Sequence, residues 1–161
     1  MEESKAQERV EQWIRRSSKG EIGHEAEVEA TKDLRLLKIH KGFVLCDFLI
    51  HYGVSDESGK RHEGAMATLL DIIGSLTAFS FTAHEQTTVS LSVSCYSKPN
   101  LQEVVEIEGK AMAEQGRMTS VRVEVRTKHD RQIVALGIMW MAHAPPKNAA
   151  PQINKSISPK L

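Results

Sequence analysis

Asp71 has the strongest claim to chemistry in this chain. It stands midway along an apolar run, Glu63–Thr82, in which Glu63 at the entrance is the only other charge. An ionised carboxylate among apolar neighbours needs a partner or a task. Helical spacing lines Gly64, Ala67, Thr68, Asp71, Gly74, Ser75 and Ala78 along one stripe of small residues. Such a stripe lets another backbone or a ligand come close, and the carboxylate faces whatever arrives. Two outcomes stay open: an aspartate hydrogen-bonded to a neighbouring element, or one presented to a bound molecule.

The other reactive side chains offer less. Cys46 and Cys95 have no CxxC or ligand-like spacing, and both fall in strand-like segments, which reads as two buried thiols in a reducing compartment. His24, His40, His51, His84 and His129 are scattered, so no metal site is expected. His62 with Glu63 or Asp71 imitates an acid–base pair, but a structural role in holding its loop is preferred.

The totals narrow the classes further. A chain of 161 residues suits one domain with a real core. Lys+Arg and Asp+Glu are both 21, so no net field draws nucleic acid or an anionic membrane, and aromatic residues at 5% are too few for base-stacking platforms. The charged start, MEESKAQERVEQW, does not read as a signal peptide. Glu63–Thr82 is long enough to span a bilayer, but a central aspartate is costly there.

The elements that must position Asp71 follow from periodicity. Ala6, Val10, Trp13 and Ile14 recur at helical spacing within residues 1–20, with Ser4 and Gln7 as a capping box and Gly20 as a left-handed stop. This amphipathic helix covers something and receives no chemical role. Residues 21–33 read as a connector. LRLLKIH and FVLCDFLIHY are strands joined at His40–Gly42, the second with Val44, Cys46, Phe48 and Ile50 on one face. A long enclosed helix follows, apolar on all sides. VSLSVSCY then alternates, with Val89, Leu91, Val93 and Cys95 opposite Ser90, Ser92 and Ser94. Three more strands turn at Gln115–Arg117 and His129–Arg131. Four late strands in an antiparallel meander, curled around one helix, make an α+β domain over residues 34–143. Uncovered sheet edges predict self-association. Residues 144–161, rich in proline and polar residues, read as a disordered tail.

At this point the sequence resembles the hotdog-fold acyl-CoA thioesterases, of the phenylacetate-pathway and acyl-CoA thioesterase 13 type. The residues that carry the resemblance are His62-Glu63-Gly64, then ATLLD ending at Asp71, the serine-rich strand ending at Tyr96, and the downstream GRMTS and ALG segments. It extends over roughly Leu34 to His143. The resemblance implies a curled antiparallel sheet around one central helix, and hydrolysis of a fatty-acyl or aryl-acyl-CoA to free acid and coenzyme A. It also implies a site shared between subunits of a homodimer or homotetramer, and no cofactor beyond the coenzyme A of the substrate.

The resemblance assigns roles as well. Asp71 is the implied general base or nucleophile, and the first helical turn at Glu63 and Gly64 would face the carbonyl oxygen. Glu63 stands where the family usually has glycine. Asp56 aligns with an asparagine that donates to the carbonyl, which a carboxylate cannot do unless protonated. The implied water-positioning serine is Ser90, with Thr88 as the choice if the register shifts. Coenzyme A contacts fall on Tyr96, Ser97, Lys98 and Pro99 and on the turn Gly116, Arg117 and Met118. Two other readings stand beside hydrolysis: a degenerate acyl-CoA-binding or oligomerisation module, and a dehydratase of the same fold. The ending Pro159-Lys160-Leu161 resembles the peroxisomal tripeptide address, with the cytoplasm as the alternative.

Overall fold

The structure is a computed structural model that describes residues 1–51, 54, 57 and 63–144. Asp56, His62 and the ending Pro159-Lys160-Leu161 lie outside the described residues, as does the tail beyond Ala144. Among the described residues, three α-helices and six strands follow in the order α1 (Glu2–Ser18), α2 (Glu25–Thr31), β1 (Arg35–His40), β2 (Phe43–Leu49), α3 (Glu63–Thr82), β3 (Gln86–Cys95), β4 (Val104–Gln115), β5 (Met118–Thr127) and β6 (Ile133–His143). One antiparallel sheet curls around α3, which is the hotdog arrangement expected from the sequence.

Alternation in the strands supplies the inner face of that sheet. Val44, Cys46, Phe48, Val105, Ile107, Val121, Val123 and Val125 are fully buried, and Leu69, Leu70 and Ile73 of α3 meet them at zero exposure. Burying one such side chain stabilises the fold by roughly 1.5–3 kcal/mol. Helix and sheet approach closely at two glycines. A Cβ on Gly74 would lie 2.1 Å from Met139 Sδ, and one on Gly109 would lie 2.1 Å from Thr77 Oγ1. The small-residue stripe on α3 is therefore divided. Gly74 and Ala78 pack inward, whereas Gly64 is exposed and Ala67, Thr68, Asp71 and Ser75 are only half-buried.

Several sequence expectations are corrected. The sheet order is β1-β2-β4-β5-β6-β3, so only β4, β5 and β6 form a meander, and β3 pairs with β6 at the far edge. The cause is α3, whose 20 residues carry the chain about 30 Å across the sheet before β3 begins. The chain then returns from Tyr96, whose N–H bonds Val134 O, to Glu103, whose carbonyl accepts from Ile50 N, and β4 slots in beside β2. Residues 21–33 are not a plain connector: Glu25–Thr31 is helical, opened by a His24 N–H bond to Glu27 Oε2 at 2.9 Å and tied to α1 by Ser17 and Thr31 hydroxyls 2.6 Å apart.

α1 starts at Glu2, which leaves Ser4 inside its first turn and the Ser4–Gln7 capping box unformed. Its other end closes as expected, with Gly20 at φ +72° and paired bonds from Gly20 N to Ser17 O and Glu21 N to Arg16 O. In β3 a bulge between Thr88 and Ser90 breaks the alternation. Val89 is 59% exposed and Cys95 is also exposed, while Thr88, Leu91 and Val93 turn inward. Only Cys46 is a buried thiol.

Candidate active site

Asp71 lies nine residues into α3 on the half-buried stripe, and β3 runs antiparallel beside it. The Thr88 hydroxyl donates to Asp71 Oδ1 at 2.8 Å. Among the described residues no hydrogen bond reaches Oδ2, and no cation lies within ion-pair distance of the carboxylate. The Ser75 and Thr68 hydroxyls bond back to the carbonyls of Asp71 and Gly64, at 2.8 and 3.0 Å, and so satisfy the helix rather than the carboxylate.

The stripe does not end at solvent. Asp71 lines an open cleft of about 440 Å³, bounded on one side by Asp71, Ser75 and Leu76 of α3 and on the other by Arg9 and Trp13 of α1, with Gln86 at the mouth of β3. A volume of this size falls within the roughly 300–1,000 Å³ of small-molecule sites. The carboxylate is thus neither walled off nor tied to main chain. It is oriented by one neutral donor, with its second oxygen available to a bound molecule.

The bulge decides which hydroxyl serves. Ser90 is exposed one step beyond it, opposite Trp140 on β6, and Thr88 is the hydroxyl that bonds Asp71. At the opening turn of α3, Glu63 and Gly64 are exposed, and Glu63 Oε1 faces Lys98 Nζ at 3.8 Å. Cys95 stands in the same corner, its thiol pushed up by partial desolvation and by the Glu63 charge against the opposing Lys98 charge. Tyr96, Ser97 and Lys98 are exposed there, whereas Pro99 is buried and presents no surface to a ligand.

Gly116, Arg117 and Met118 are at the other end. Met118 and Thr87 both pair with Ala142, so the turn sits beside the start of β3, nine residues and about 30 Å from Tyr96. One chain therefore does not bring the two expected coenzyme A segments together. Ser75 was already on the stripe read from sequence, whereas Arg9, Trp13 and Gln86 received no place in the site; the amphipathic period of α1 signals a covering helix but not what it covers.

Residues 59–134 match the family model described as Thioesterase superfamily. No curated protein matches the chain. Among solved structures, the chain is similar to zebra fish thioesterase superfamily member 2, with 16% identity over 82% of this chain and 94% of that one, at a TM-score of 0.74. It is also similar to a Streptococcus mutans protein bound to acetyl CoA, with 22% identity over 69% and 88% at a TM-score of 0.65. A hypothetical thioesterase from Streptococcus pneumoniae with coenzyme A gives 19% identity over 69% and 85%, at a TM-score of 0.66. At such identities the likeness speaks for the fold. The architecture is that of the hotdog fold, and residues 59–134 carry the match to the thioesterase superfamily.

Proposed function

We propose that the chain hydrolyses an acyl-CoA thioester, with Asp71 as the general base or nucleophile and Thr88 as the residue that positions it. The observation that carries this reading is the Asp71 carboxylate at the cleft wall, held through Oδ1 by a neutral hydroxyl. In this reading Oδ2 draws a proton from water, which attacks the thioester carbon, and the sulfur leaves as the coenzyme A thiol. The S. mutans and S. pneumoniae structures hold acetyl CoA and coenzyme A, which supports the substrate class. In the S. pneumoniae protein an aspartate and a threonine have each been replaced by alanine, the two residue types joined here.

The oxyanion needs a donor, and the positive end of α3 at Glu63 and Gly64 suits it. Glu63 and Asp71 are eight positions apart (71 − 63), about 12 Å of helix rise, whereas reacting groups must lie about 3–3.5 Å from one carbon. The reading therefore requires a second copy. β3 is an edge strand, and antiparallel pairing of two β3 strands sets the end of one, with its Glu63 and Lys98 corner, against the start of the other. The same operation joins Tyr96, Ser97 and Lys98 of one copy to Gly116, Arg117 and Met118 of the other. We read the protein as a homodimer or larger assembly on this ground.

The ion pair between Glu63 and Lys98 favours a second reading, an acyl-CoA-binding module without turnover, because it sets a carboxylate beside the acyl site. Steady-state hydrolysis of a panel from acetyl-CoA to palmitoyl-CoA with phenylacetyl-CoA separates the two. Thiol release from at least one member supports the enzyme. Binding without release from any supports the module.

A further inference from the structure

We infer that the cleft between the amino-terminal helices and α3 is the acyl-chain site, and that Trp13 sets the chain length it accepts. The inference rests on the thioesterase reading for the head group, and it assigns a task to helices outside the region that matches the family.

Asp71 belongs to the cleft wall, so a thioester carbon placed at its carboxylate has its acyl substituent at the cleft mouth. Five apolar side chains line the cleft, and the Glu27 carboxylate of α2 lines it as well. Ile72, Leu76 and Phe79 of α3 face Val10 and Trp13 of α1. Val10 and Ile72 are 1% and 7% exposed, while Trp13 is half-buried and lines the space. The far end is closed by charge. The Arg9 guanidinium lies 4.7 Å from the Phe79 ring centroid and 4.0 Å from Glu85, so a chain that reaches it meets groups that gain nothing from contact with methylene. The polar body of coenzyme A is left on the side of the Glu63 and Lys98 corner. The cleft therefore has an apolar length, a reactive end and a charged stop, which is the form of a length gauge. Each buried methylene adds roughly 0.8 kcal/mol, or about a fourfold gain in affinity, until the stop is reached.

Trp13 reports its own occupancy, because Trp140 is the only other tryptophan. In a Trp140→Phe background carrying Asp71→Asn to slow turnover, emission is followed on adding coenzyme A, acetyl-CoA, octanoyl-CoA or palmitoyl-CoA. The expected result is a change with the longer acyl chains and none with coenzyme A, with Kd tightening about fourfold per methylene and then levelling. In the otherwise native protein, Trp13→Ala raises the ratio of kcat/KM for palmitoyl-CoA over octanoyl-CoA about tenfold, and the filling variant Ser75→Leu lowers it. Emission that ignores the acyl chain overturns the inference, as do two variants that scale every chain length by one factor. Emission that follows protein concentration instead shows a second copy in the cleft and also overturns it. If no thioester is hydrolysed, the functional reading fails, and the chain-length dependence of emission still decides the cleft.

Discussion

Asp47 is buried and Asp71 half-buried, and the chain answers their charges differently. Asp47 on β2 is 4% exposed and receives Arg35 at 2.8 Å and Lys128 at 2.5 Å. Burial alone would raise its carboxyl, but hydrogen bonds from Lys128 and Arg35 and their charges outweigh burial and hold it below the usual carboxylate range. Among the described residues Asp71 has one donor, the neutral Thr88 hydroxyl, and it borders the cleft. A carboxylate fixed by two cations is committed to joining β1, β2 and the turn after β5. One held by a hydroxyl keeps a lone pair for a proton.

That contrast breaks most visibly in catalysis. Asp71→Asn is expected to lower kcat by about 10²–10⁴-fold, the usual worth of a general base, while its melting transition stays near wild type. Asp47→Asn is expected to do the reverse, leaving kcat within about twofold. Stopped-time thiol release and thermal melts on the two variants check this, and equal kinetic losses would erase the distinction. A smaller effect sharpens the Asp71 side. Thr88→Ala loses about tenfold in kcat, Thr88→Ser recovers most of it, and Ser90→Ala stays within about twofold, all read by the same assay. Matching losses at 88 and 90 would restore the uninterrupted register.

The Asp47 side is sharpened by pH. A depressed carboxyl stabilises the fold above its unfolded-state pKa of about 3.9, and that contribution is lost as pH falls through the folded value. Urea midpoints of the wild type should therefore drop below about pH 4. Asp47→Asn should lower stability by about 1–2 kcal/mol at pH 7 and flatten the drop, the cost being modest because both cations reach solvent. The smallest test is on the adjacent thiol. Burial, then the Asp47 charge, pushes Cys46 up to about 12, so a maleimide should label the exposed Cys95 in native protein and reach Cys46 only on unfolding.

How much of this could be seen in the residues differs by element. The bounds of α3 were legible because Glu63 opens an unbroken apolar run and Ala83 leaves it with positive φ. The inner faces of β2 and β5 were legible from alternation. Sheet order was not, since alternation tells which face a residue takes and not which strand lies beside it. The Ser90 expectation failed to reach Asp71 because period-two counting inverts across a bulge, and nothing in TTVSLS marks that bulge. α2 escaped notice because seven residues are too short for a helical period to repeat. The resemblance implied a coenzyme A contact at Pro99, but the return loop folds it inward.

The most direct test of the central claim is a single-turnover double-mutant cycle on Asp71→Asn and Thr88→Ala with the best acyl-CoA of the panel. If Thr88 acts through Asp71, the Asp71 variant alone loses at least about 100-fold, and adding Thr88→Ala costs nothing further. Turnover by Asp71→Asn equal to wild type, or losses that multiply, would contradict the account.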